Sequence, residues 1–263
     1  MKLRYSGYVM LAAALGIVLM SCGKKEEQPA ETASTASQPA GQPVDTANAG
    51  SVSGTIKLDG TPPTPHKINM AAEPYCVSQH PTPVNDQEVV AGPGGTLANV
   101  VVYVSDDMSK YAFTTPGTAA TIDQKGCMYT PHVVAMMAGQ SLQVNNDDKT
   151  THNIHPVPKD NREWNESQPP GAPAIEKVFA RPENAIPVKC NVHPWMKSYI
   201  FVFKNPYYSV TGDDGKFTIS NLPPGTYTVT AWQEKYGNVT QSVTIGPKES
   251  KSVDLTFKAA SAD

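Results

Sequence analysis

The chain has 263 residues, enough for about two domains. It carries 21 Lys and Arg against 24 Asp and Glu, a formal charge of −3, whereas a nucleic-acid partner calls for a basic stripe; no nucleic acid is expected. Gly and Pro total 43, too few for a wholly disordered chain, and 17% charged residues with plentiful Val, Thr and Tyr exclude a helical bundle in favour of a turn-rich β fold.

Lys2 and Arg4 precede an uncharged apolar run from Tyr8 to Met20. At about 13 residues the run is too short for a permanent membrane helix and reads as an export segment. It ends in Leu19-Met20-Ser21-Cys22, which resembles the lipobox of bacterial lipoproteins. The resemblance implies a signal peptide over 1–21, cleavage before Cys22 and a diacylglyceryl group on its thiol. Membrane attachment would then run through that lipid alone. An ordinary secretory peptide with a chance cysteine is the alternative. Loss of Lys2 and Arg4 leaves 19 basic against 24 acidic residues, or −5. The implied setting is the periplasmic side of a bacterial membrane, and the lack of Asp after Cys22 slightly favours the outer one. Beyond Cys22, residues 23–50 hold Val44 as their only bulky aliphatic side chain. Such a stretch cannot bury enough apolar surface to offset the entropy of ordering it. Residues 22–50 are therefore expected to be a disordered tether, spanning roughly 30 Å as a flexible coil.

From residue 52 onward apolar residues alternate with polar ones, the signature of half-buried strands. Ile56 and Leu58 begin the pattern, followed by Leu142 and Val144, Phe217 and Ile219, and Tyr227, Val229 and Ala231. Val243 and Ile245, then Val253, Leu255 and Phe257, complete it, while Leu97 to Val104 is a nearly continuous apolar run suited to a central strand. Asp59-Gly60, Pro93-Gly94-Gly95, Asp214-Gly215 and Pro223-Pro224-Gly225 are turn signals between them. No helical period, heptad or internal repeat of useful length is present. An all-β architecture of two sandwich units follows.

Within that pattern, Val210 to Trp232 resembles carboxypeptidase-regulatory-like (transthyretin-like) domains. Asp214-Gly215 supplies the tight turn, Phe217 and Ile219 face inward, Leu222-Pro-Pro-Gly225 breaks the chain, and Tyr227 to Ala231 is the next strand. Gly54-Thr-Ile56, Gly60-Thr-Pro62 and Val100 to Val104 fit the opening of the same family, yet lie about 100 residues upstream. The resemblance implies a nested chain: a regulatory-like sandwich from 51–107 and 205–258, with another domain inserted at 108–204. Three consecutive pieces are the simpler alternative.

The chemistry concentrates in Cys190-Asn-Val-His193-Pro-Trp-Met196 and, some 40 residues earlier, Thr151-His152-Asn153-Ile154-His155. One thiolate, two imidazoles and a thioether form the donor set of a type 1 copper site, with two His and one Cys in a plane and Met as a long axial ligand. C-x2-H-x2-M with an upstream H-N-x-H resembles the amicyanin-type cupredoxins. Tyr129-Thr-Pro131, Met137 to Asn146, Lys177-Val-Phe179 and Tyr199 to Phe203 continue that resemblance over about 90 residues, 118–206. It implies a cupredoxin Greek-key sandwich with His152, Cys190, His193 and Met196 as ligands to one copper ion. Asn153 would tether the two ligand segments in the second coordination shell. By strand alternation Ile186, Val188 and Cys190 share the inward face and Lys189 points out. His155, three positions from His152, faces the other way and is the less favoured ligand. A buried structural Cys and a surface His are the bland alternatives. In cupredoxins the exposed edge of the loop histidine is the electron exit, so His193, Pro194 and Trp195 are expected to form a docking patch; Trp195 as packing that shields the metal is the other reading.

Other metals and motifs fit less well. A binuclear copper site needs a second loop cysteine, structural zinc rarely takes Met, and His66, His80 and His132 are too scattered for a multicopper centre. Asp147-Asp148 and Asp213-Asp214-Gly215 lack a calcium-binding loop and read as turns. With lipid on Cys22 and metal on Cys190, Cys76 and Cys127 remain, and an oxidising compartment favours a disulfide between them over two free thiols. It would pin the Pro-rich segment 61–93 to the inserted unit. No phosphate loop, H-E-x-x-H or nucleophile motif is present, so an enzyme is not expected. The leading expectation is a lipid-anchored one-electron carrier serving redox partners such as a dehydrogenase or a cytochrome c-like protein. A copper-delivery lipoprotein, or a surface glycan- or protein-binding module on a cupredoxin scaffold, are the alternatives.

Overall fold

Period-2 patterning becomes strand pairing throughout residues 41–259, which the computed structural model of the protein describes. The expected signal peptide 1–21, Cys22 and the tether as far as residue 40 lie outside the described residues. Among the described residues, 17 strands are accompanied by one five-residue helix, Pro74–Ser78, and a single 3-10 turn, and no helix is long and apolar enough to cross a membrane.

Strands from both ends of the chain share two sheets. In one, Gly50–Asp59 pairs antiparallel with Lys216–Leu222 on one edge and parallel with Ser250–Ser252 and Leu255–Lys258 on the other. In the other, the order is Tyr208–Val210, Val101–Val104, Gly225–Gln233, Gly237–Ile245. The alternating residues meet between them: Val52, Ile56 and Leu58 with Phe217 and Ile219, against Val102, Val104, Val229, Ala231 and Val243. Gly54 has no room for a side chain, since a Cβ would collide with the carbonyl of Val253 crossing beside it.

The strands between Ala120 and Phe203 build a second pair of sheets. One runs Val133–Met137, Lys197–Phe203, Glu183–Lys189, His152–Pro156, Glu166–Gln168; the other runs Met128–Thr130, Ala120–Lys125, Ser141–Asn146, Ile175–Val178. Ile122, Leu142 and Val144 face Ile154, Ile186, Val188, Ile200 and Val202 across this core.

A third cluster joins the two sandwiches. Val101 and Tyr103 on the outer face of one sheet pack on Val133, Phe201 and Phe203 of another, with Phe201 against the Trp232 ring at 4.8 Å and Tyr103 against Phe203 at 5.1 Å. Alternation therefore vanishes in these strands: all four residues of Val101–Val104 and all four from Ile200 to Phe203 are buried. A strand covered on both faces reads as a continuous apolar run. The same seam holds a hydrogen bond between His132 Nε2 and Glu234 Oε1 at 2.7 Å.

Two expectations are corrected. The last ten residues of the proposed tether, 41–50, lie on the body: Gln42 donates its N–H to the Lys110 carbonyl and accepts from the Ala112 N–H, both at 3.0 Å, and Val44 packs against the first core. Backbone pairing orders a stretch whose side chains offer little. Met108 and Tyr111, allotted to the inserted unit, also belong to the first core, because the chain runs along that sandwich before it crosses to the second.

Candidate metal centre

The strand Glu183–Lys189 carries Ile186, Val188 and then Cys190 to the inside of the second sandwich, at 1%, 2% and 3% exposure, while Lys189 faces solvent. The loop that follows closes on itself. His193 N–H donates to Cys190 Sγ at 3.3 Å, Met196 N–H to the His193 carbonyl at 2.9 Å, and Cys190 N–H to the Met196 carbonyl at 3.2 Å. These bonds turn His193 and Met196 inward, and both are fully buried. The neighbouring strand His152–Pro156 supplies His152, also fully buried.

Three of the expected ligands converge. One ligand atom from each of His152, Cys190 and His193 lies within 4.8 Å of the other two. His152 Nδ1 and His193 Nδ1 face each other at 2.8 Å, and Cys190 Sγ lies 3.9 Å from His193 Nδ1. Met196 is packed in the same core cluster as Cys190. Asn153 ties the two ligand segments: its Oδ1 accepts the N–H of Asn191 at 2.6 Å and of Val192 at 3.3 Å, and lies 3.3 Å from Cys190 Sγ. His155 is turned away, with Nε2 on Glu163 at 2.6 Å and Nδ1 on Asn191 at 3.2 Å. Elsewhere His80 Nε2 bonds the Gly126 carbonyl at 2.7 Å, His132 pairs with Glu234 and His66 is exposed.

Electrostatics follow from this packing. Burial disfavours the Cys190 thiolate, but hydrogen bonds from His152 and from the backbone N–H groups of Asn153, His193 and Val192 outweigh it and bring the thiol below its ordinary value. Burial likewise opposes a charged His152, yet the bonds to Asp148 and Cys190 raise it above the usual imidazole value. His193 is lowered by burial and by the charge of His152, with Glu73 and Asp148 pulling the other way. A low-lying thiol beside two imidazoles, with a thioether packed nearby and all of them buried, fits a borderline-soft ion such as copper.

The expected disulfide is present, and with it comes a cover over this cluster that the sequence does not predict. Cys76 and Cys127 form a disulfide, and it holds the chain around the short helix Pro74–Ser78 against the ligand end. Cys76 Sγ and Glu73 Oε2 each lie 3.9 Å from His193 Nε2. The exposed histidine edge expected of the docking patch is therefore absent. His193 is 0% exposed, and Trp195 is half-buried, its ring 5.1 Å from that of His193 and its Nε1–H donated to the Cys127 carbonyl at 3.1 Å. Of the three patch residues only Pro194 is exposed. The physical reason is the staple, since a Pro-rich segment without hydrophobic period is placed here by a covalent bond.

Asp148, a turn residue by its sequence context, lies against this cluster. Its side chain is 3% exposed, and Oδ2 lies 2.8 Å from His152 Nε2. Oδ2 also accepts from Cys127 N–H and Oδ1 from Gly126 N–H, both at 2.7 Å, while Tyr75 Oη reaches Oδ1 at 3.3 Å. These donors outweigh the cost of burial and hold the carboxyl below its ordinary value. The one available signal was its position, four residues before His152.

Residues 200–258 match the carboxypeptidase regulatory-like domain family. The match starts inside the last strand of the second sandwich, Lys197–Phe203, and runs through the closing strands of the first. No curated protein is similar in sequence at a significant level. Among solved structures the chain is similar to a Cu-containing nitrite reductase from Thermus scotoductus SA-01, at 16% identity and a TM-score of 0.31 over 37% of this chain and 25% of that one. This chain thus spans about a quarter of the reductase's length. It is also similar to a purple cupredoxin from Nitrosopumilus maritimus, at 22% identity and a TM-score of 0.28 over 32% of this chain and 99% of that one. A mutant of amicyanin in its Cu(I) form matches at 17% identity and a TM-score of 0.28, over 34% and 97% of the respective chains.

Proposed function

We propose that this protein is a one-electron carrier holding one type 1 copper ion through His152, Cys190, His193 and Met196. The observation that supports this reading most is the buried convergence of one thiol and two imidazoles, with one ligand atom of each within 4.8 Å of the others. Copper bound there supplies a one-electron couple, Cu(I) to Cu(II). The chain's own residues do the rest. Cys190 offers a thiol that the backbone N–H groups of Asn153, His193 and Val192 bias toward thiolate. Asn153 Oδ1 locks the ligand loop to the His152 strand. The disulfide-pinned cover and the fully buried ligands keep water out, which limits rearrangement between the two valence states. In this reading the two sandwiches are its two domains, the regulatory-like one a rigid mount. Cys22 carries the lipid, the head lies on the periplasmic side, with the outer membrane slightly favoured, and the partners are redox proteins.

The cover weighs against a copper-delivery role, because a delivery protein must hand its ion over readily. Titration of the mature chain with copper against a competing chelator tests the proposal. One ion per chain is expected, lost in Cys190→Ser and in His152→Ala, with slow release of Cu(I) to the chelator. Rapid and complete transfer of Cu(I) would support delivery instead, and binding that survives both substitutions would refute this ligand set.

A further inference from the structure

We propose that Asp148 is the positioning residue of this centre, holding His152 in the tautomer whose Nδ1 lone pair is free to bind metal. The inference rests on the copper reading above and adds a residue to it.

The argument is one of donors and acceptors. Four polar atoms converge on the two oxygens of Asp148: Gly126 N–H and Tyr75 Oη on Oδ1, Cys127 N–H and His152 Nε2 on Oδ2. Two of these, the backbone N–H groups, can only donate. An ionised carboxylate can only accept, and it has lone pairs for all four. A neutral His152 must therefore place its proton on Nε2, leaving Nδ1 as the acceptor, and Nδ1 is the atom that faces the ligand cluster at 2.8 Å from His193 Nδ1. Asp148 is itself fixed, because its N–H donates to Asn146 Oδ1 at 3.0 Å and its side chain is 3% exposed. A carboxylate on the far nitrogen of a ligating imidazole orients the ring and raises its basicity. Here that carboxylate also grips the hairpin turn that bears Cys127, and Tyr75 of the cover, so one side chain joins a metal ligand to the lid over its neighbour.

Asn in place of Asp148 is the discriminating change. Its amide would have to turn a donor toward Gly126 N–H, or toward Cys127 N–H and His152. In the second orientation His152 Nε2 becomes the acceptor and the proton moves to Nδ1, the metal-binding atom. The experiment is long-range nitrogen–proton NMR of His152 in the metal-free mature chain at alkaline pH, paired with chelator-competition copper binding, for wild type and Asp148→Asn. The expected result is an Nε2–H tautomer in wild type, a shift toward Nδ1–H in the variant, and copper binding weaker by about 10–100-fold. Tyr75→Phe, which removes one outlying donor and leaves the His152 contact, should keep the wild-type tautomer. A wild-type His152 protonated on Nδ1 overturns the proposal without any variant, even if Asp148→Asn fails to fold. Copper bound equally by both proteins with unchanged tautomers also overturns it and leaves the copper reading standing. No copper binding by wild type removes the copper reading and the proposal with it.

Discussion

The first sandwich buries mainly aliphatic and aromatic side chains, with Asn205, Thr211, Thr230 and Gln233 as buried polar groups, whereas the second also buries Asp148, His152, Glu183, His193 and the Cys190 thiol. The difference is one of cost. The uncharged group in the first core is satisfied locally, as when Thr211 Oγ1 donates to the Leu97 carbonyl at 2.7 Å and accepts from Val100 N–H at 3.0 Å. Burying an ionisable group costs several kcal/mol unless it is paired and hydrogen-bonded. In the second sandwich the pairing runs as one chain from Asp148 through His152 to His193 and Cys190. Perturbed groups gathered in this way are a candidate functional site. In the proposed reading the first sandwich is thus organised for stability and the second around a metal site.

The seam between them is the first place to break that contrast. Phe201→Ala should cost about 3–5 kcal/mol in urea unfolding, because Phe201 is fully buried against Trp232 and its truncation leaves a cavity between the sandwiches. Two separate transitions in place of one are expected with it. By contrast Ile219→Ala, in the first core, should lower stability by about 2–5 kcal/mol and leave copper affinity unchanged.

The cover comes next. Replacing Cys76 and Cys127 together by Ser should lower stability by about 2–4 kcal/mol, since the disulfide closes a loop over a sequence separation of 51. Copper release to a chelator should also quicken once His193 is no longer capped. Release at the wild-type rate would show that the cover does not guard the site.

Acid should act on the second sandwich first. Against the cost of burial, hydrogen bonds hold Asp148 and Glu183 below their ordinary carboxyl values, Glu183 through the N–H groups of Lys159, Asp160 and Asn161 and the Asn161 side chain. A carboxyl lowered in the folded state contributes stability that is present above its ordinary value and lost as pH falls through the lowered one. Asp45, Asp107 and Asp214 at exposed positions, and the half-buried Glu249, shift the same way where solvent screens the effect. Unfolding free energy of the metal-free chain should therefore decline below the usual carboxylate range, and Glu183→Gln should flatten the slope. The smallest expected effect is Trp195→Phe, which keeps the ring on His193 and removes the bond to the Cys127 carbonyl, a loss of about 0.5–1.5 kcal/mol in thermal or urea unfolding.

How much of this was legible in the sequence depends on the kind of force involved. Strand faces were legible because side-chain period is a local property, and Ile56, Phe217, Val229 and Leu255 all lie in the first core. The grouping of His152, Cys190 and His193 was legible because Cys190, His193 and Met196 share one short loop and a distinctive set of donors. Asp148 was not, because a pair of aspartates beside Lys149 looks like any solvated turn until the fold buries it. The cover over His193 was hidden for a related reason. The bond between Cys76 and Cys127 was legible from the cysteine count, but where it would set the segment was not, because the residues around Cys76 carry no period. The ordering of 41–50 depends on backbone hydrogen bonds to 110–112, which composition does not register.

The optical and EPR spectra of the copper-loaded mature protein in its oxidised form, beside those of Cys190→Ser, test the central claim most directly. An intense thiolate-to-Cu(II) blue absorption that disappears in Cys190→Ser is the predicted result. A protein that stays colourless under oxidation with copper present, or a colour that persists in Cys190→Ser, would contradict it.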